Sequence, residues 1–139
     1  MLVLDTNHLR EFDKGSSAGH RLMNRLNAAT QEVATTIVCI EEQSRGWLAE
    51  IRAATERDAE IRAYARYQEH VETSARWIAL SWDGEAADLF AAFRKQGIRI
   101  PTLDLKIACI AIAHDSLLLT RNTVDFAKVP GLRHENWLD

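Results

Sequence analysis

Short apolar runs alternate with helical patterns along the whole of this chain, and that alternation confines it to one architecture. Residues 1–4, 33–35 and 116–120 read as strands, and 77–82 as a short strand or strand-like connector. Between them lie a first helical turn capped by Thr6 or Asn7 and running through Phe12, and helical patterns over 18–29, 36–54, 56–73, 83–96 and 101–114. Strands separated by helices pair in parallel, because only a long crossover returns the chain in the same direction. Residues 116–120 are nearly all apolar, as a strand covered on both faces should be. The expectation is an α/β fold: one three-layer α/β/α domain over residues 1–139, with a mainly parallel central sheet.

Four acidic or metal-capable points sit beside these apolar runs: Asp5, the Glu41–Glu42 pair, Asp104, and the turn from Asn122 to Asp125. Asp5 directly follows the first strand, and open parallel sheets build their sites beyond the carboxyl ends of strands. On the helix over 36–54, Ile37, Ile40, Ser44, Trp47, Leu48 and Ile51 share one stripe. Glu41 lies at the edge of that stripe, four residues before Arg45, which suits a surface ion pair. Glu42 lies opposite, among Val38, Cys39, Gly46 and Ala49, a small-residue face suited to close approach by other backbones. Glu42 is therefore the better site residue. Asp104 falls in the first turn after Pro101, at the start of a helix that is apolar nearly all round. Carboxylates brought to one point repel one another and are best relieved by a divalent cation. If these segments converge, the chain holds Mg²⁺ or Mn²⁺.

Other chemistries find little support. The five histidines contain no HxxxH pair, and there is no Gly-rich phosphate loop and no GxSxG elbow. Cys39 and Cys109 lie in apolar helical patterns and read as reduced core thiols. A net charge of −3 and a pI of about 5.9 argue against a histone-like basic coat. The start of the chain has no basic leader, and residues 107–113 are too short to span a bilayer. The chain reads as cytoplasmic, without a membrane partner.

Taken together the segments resemble a PIN domain, and most closely the VapC-type toxins of bacterial toxin–antitoxin pairs. The resemblance rests on Met1-Leu-Val-Leu-Asp5-Thr-Asn7, on Thr36-Ile-Val-Cys-Ile-Glu-Glu42-Gln-Ser-Arg-Gly46, and on Asp104-Leu-Lys-Ile-Ala-Cys-Ile-Ala111. It continues through Leu119-Thr-Arg-Asn122-Thr-Val-Asp125-Phe126, Gly131-Leu132 and Asn136-Trp137. It implies that Asp5, Glu42 and Asp104 are metal-binding, catalytic acids, and that Asp125 either supplies a fourth charge or holds Asn122 in place. Thr6, Asn7, Thr120 and Asn122 then orient those acids or a phosphate oxygen, with Arg45, Lys106 and Arg121 as phosphate contacts. The resemblance further implies a metal-dependent ribonuclease, a homodimer, and a cognate antitoxin that blocks the site.

Rival readings remain. One is a PIN-like RNA- or protein-binding module that has lost activity, which Asn122 makes conceivable. Another is a PIN nuclease outside toxin–antitoxin biology. A phosphoaspartate enzyme fits less well: a haloacid-type phosphatase wants an aspartate where Asn7 stands, and a receiver domain wants a lysine where Arg121 stands.

Overall fold

The computed structural model describes residues 1–139. Five strands, β1 (Leu2–Leu4), β2 (Val33–Thr36), β3 (Ala79–Leu80), β4 (Leu117–Leu119) and β5 (Arg133–Glu135), form one sheet in the order β3-β2-β1-β4-β5. Every pairing is parallel. The helices are α1 (Thr6–Lys14), α2 (Ser17–Ala29), α3 (Ile37–Ala53), α4 (Arg57–Ser74), α5 (Gly84–Lys95), α6 (Thr102–Ala113) and the single turn α7 (Thr123–Phe126).

Successive residues of a strand point to opposite faces. Leu2, Val3 and Leu4 are all fully buried, so helices cover both faces of the sheet at β1. This is the expected three-layer arrangement. Helix α6 is buried along most of its length, with Leu105 and Ile107–Ala111 inaccessible. Both cysteines are free and buried, as expected.

The chain winds outward from β1 in one direction to β2 and β3. It then crosses back to β4 and β5 on the other side. The strand order therefore reverses at β1, where open parallel sheets form their crevice. Register places Leu4 opposite Leu119, so the next residues, Asp5 and Thr120, leave the sheet side by side.

Three local expectations change. The N-cap of α1 is Asp5, whose carboxylate accepts from the Thr6 N–H, rather than Thr6 or Asn7. The run over 77–82 contributes only two strand residues. Strand β5 adds to the expected strands; Arg133-His134-Glu135 is polar and lies at a sheet edge, where apolar alternation is not required. Gly19 has a clear packing role: a Cβ there would lie 2.0 Å from the Glu11 carbonyl oxygen, so only glycine lets α2 cross α1 this closely.

Candidate active site

Asp5, Glu42 and Asp104 come from three separate elements and line one cleft of about 620 Å³ at the carboxyl ends of the strands. Asp5 is buried at the end of β1. Its carboxylate accepts from the Thr120 hydroxyl at 2.7 Å and the Thr6 N–H at 2.7 Å, and the Cys39 thiol lies 3.8 Å away. Burial pushes the Asp5 carboxyl above its ordinary range, the Thr120 and Thr6 donors oppose this, and the Glu42 charge adds to it. Glu42 projects from the second turn of α3 and accepts from the Thr6 hydroxyl. Glu41, as expected, faces away and pairs with Arg45.

Asp104 stands in the first turn of α6. Burial and the charges of Asp5, Glu42 and Asp125 push its carboxyl up to about 6, against the pull of Asn122. The Asn122 amide donates to Asp104 at 3.3 Å and to Asp125 at 3.0 Å. Asp125 does not line the cleft. It holds Asn122, whose side-chain oxygen accepts from the Asp125 N–H, and it pairs with Lys128 at 3.3 Å. Cys39 is no nucleophile here, since burial, with the Asp5 charge adding, pushes its thiol up to about 12.

No family model matches the chain, and no curated protein matches it. Solved structures do. A chain of VapBC2 from Rickettsia felis, solved bound to a DNA fragment from its promoter, matches with a TM-score of 0.72 at 20% identity, covering 98% of each chain. VapBC-1 from nontypeable Haemophilus influenzae matches with a TM-score of 0.72 at 19% identity, covering 99% of this chain and 98% of that one. A toxin–antitoxin complex from Klebsiella pneumoniae matches with a TM-score of 0.66 at 23% identity over 95% of both. This chain has the PIN-like fold. At such identities the likeness extends to architecture alone.

Within the PIN-like frame, Thr6, Asn7 and Asn122 line the cleft and Thr120 lies buried behind it. The three expected phosphate contacts do not reach it. Arg45 is held by Glu41 on the outer side of α3, and Arg121 lies 3.4 Å from Asp139. Lys106 sits over the Trp82 ring at 5.4 Å. Long cationic stems are readily captured by nearby acids and rings. The cation that lines the cleft is Arg10, which the sequence reading passed over. Its signal was available: Arg10 follows Thr6 by four residues and Asn7 by three, the spacing of one helix face. The small-residue face near Glu42 also differs from expectation. No atom would lie within 4 Å of a Cβ at Gly46, so that face opens to the cleft rather than receiving another backbone.

No three His, Cys, Asp or Glu groups stand close enough together to hold one metal ion as a cage. The donor set suits a hard ion all the same. The available groups are carboxylate, hydroxyl and amide oxygens, and magnesium keeps several waters while taking only one or two carboxylates directly. Asp5 and Asp104 could hold such an ion, with Glu42 reaching it through water. A zinc cage of nitrogen and sulphur ligands does not fit these donors.

Proposed function

We propose that this chain is a divalent-metal-dependent endoribonuclease and the toxin of a type II toxin–antitoxin pair. One observation carries the reading. Three carboxylates from distant segments face one cleft beside the strand-order reversal, and burial, with the charges of Asp5, Glu42 and Asp125 adding, raises Asp104 to about 6. Carboxylates are not gathered in this way for stability.

The chain's own groups have distinct tasks. Asp5 is fixed by Thr120 and the start of α1. The Thr6 hydroxyl orients Glu42, and Asn122 orients Asp104. Arg10 supplies positive charge for a phosphate at the cleft wall. When bound, Mg²⁺ or Mn²⁺ supplies the charge that acidifies an attacking water and stabilises the leaving oxygen.

The toxin assignment is supported by fold likeness to chains solved in VapBC and other toxin–antitoxin complexes. An acidic cleft suits an Arg-bearing antitoxin segment that occupies it and blocks RNA. We further infer a cytoplasmic homodimer; no helix is long and apolar enough to cross a membrane.

The test is RNA cleavage with Mg²⁺ or Mn²⁺, with chelator, and with Asp5→Asn or Asp104→Asn. Full cleavage in chelator or in either variant overturns metal-assisted hydrolysis. A second reading, a binding module without activity, is favoured by the neutral amide of Asn122 beside Asp104, where a further acid would add charge for a metal. Calorimetry showing no uptake of Mn²⁺ would select it.

A further inference from the structure

The acid cleft does not stand alone. A second cavity of about 440 Å³ adjoins it between α1, α3 and α4, and the two share Arg10, Gln43 and Trp47. Trp47 is the only apolar residue lining either cavity. Its indole is braced by the His70 ring, 6.5 Å away and inclined at 36°. His70 is itself fixed by Ser44 at 2.7 Å and Ser74 at 3.3 Å. The preceding residue, Gly46, leaves open space beside Glu42.

The second cavity differs from the first in charge. Its lining carries three cations, Arg10, Lys14 and Arg66, against two carboxylates, Asp13 and Glu69; Arg66 pairs with Glu50, and Arg10 and Lys14 make no ion pair. A path therefore runs from the acids, over the gap at Gly46, past a braced aromatic ring, to Arg10, which also donates to Asn7 at 3.4 Å, and Lys14. Single strands are bound by this combination of aromatic stacking and backbone cations. A base inside a duplex has both faces covered by its stacked neighbours, so a duplex does not suit the ring.

We propose that Trp47 and Arg10 form a nucleotide subsite next to the acid cleft, where one base of a single-stranded RNA stacks on the indole and Arg10 meets its phosphate. The strand then leaves the acids along α3 toward Lys14. This rests on the ribonuclease reading above and adds to it the form of the substrate and the residues that grip it.

The test uses the full chain with Ca²⁺ in place of Mn²⁺ and a short single-stranded oligoribonucleotide carrying 5-iodouridine. Illumination should cross-link the RNA to the segment containing Trp47. Trp47→Ala should weaken binding roughly 5- to 150-fold, the range that an aromatic stack gives, and Trp47→Phe should retain most of the affinity. Thermal melts of both variants report folding, and the position of the cross-link in the parent keeps the test decisive if the alanine variant is unstable. If RNA is cleaved in Mn²⁺ but cross-links elsewhere, with affinity unchanged in both variants, the subsite is overturned while hydrolysis stands. If the parent neither binds nor cleaves RNA, both readings fall.

Discussion

Thr120 donates its hydroxyl to Asp5 at 2.7 Å, joining two residues 115 positions apart because β1 and β4 are register partners. The contact ties the site to the sheet. Thr120→Val keeps the shape and removes the donor, leaving a buried carboxylate oxygen unsatisfied. The expected loss is about 1–3 kcal/mol of stability, together with weaker Mn²⁺ binding. Denaturant unfolding and calorimetry check this; an unchanged midpoint would remove Thr120 from its positioning role.

Asp104→Asn should separate stability from function. Its folded carboxyl is raised to about 6 from 3.8, so the penalty of ionising it is absent below the lower value and full above the upper one. At neutral pH the metal-free variant should be more stable by about 1–2 kcal/mol, allowing for solvent screening. It should also lose cleavage and the rise in melting temperature that Mn²⁺ gives the parent. Melts with and without Mn²⁺ measure both, and a destabilised variant contradicts the penalty of burying this charge among other acids.

Gly46→Ala is expected to raise stability by about 0.5–1 kcal/mol, because a helix-interior glycine loses more backbone freedom on folding than alanine does. Nothing in the structure would clash with the added methyl. The same methyl narrows the cleft beside Glu42, so KM for RNA should rise. Thermal melts and steady-state kinetics on one preparation test the pair of effects; a fall in stability would contradict the open space.

Acid should weaken the fold through His8. This buried imidazole accepts from the Trp137 N–H at 3.1 Å, and burial lowers its pKa from 6.5 to about 4. Between those values the unfolded chain binds the extra proton, so stability rises with pH across that window and falls on acidification. The full contribution is about 3 kcal/mol. Unfolding at several pH values, parent against His8→Gln, should show a steeper slope for the parent; equal slopes would contradict it.

The sheet was legible where strands are buried on both faces, as in Leu2–Leu4 and Leu117–Leu119, because burial forces continuous apolar runs. Strand β5 left no such trace, since an exposed edge accepts Arg133 and Glu135. Among the site residues, Asp5, Glu42 and Asp104 were legible because each interrupts apolar or small surroundings at the end of an element. Arg45, Lys106 and Arg121 were misplaced because sequence does not say which neighbour captures a long cation. Arg10 shares a helix face with Thr6 and Asn7, a signal in the sequence, but the second cavity it lines exists only once α1, α3 and α4 are packed.

The asparagine that bridges two acids has a consequence for stoichiometry. Asn122 engages Asp104 and Asp125 through one amide nitrogen and caps the Asp125 N–H with its oxygen. An aspartate there would bring a further negative charge and no donor, and would call for a second ion. With a neutral bridge already in place, Mn²⁺ titrated into this protein should saturate at a single equivalent per chain.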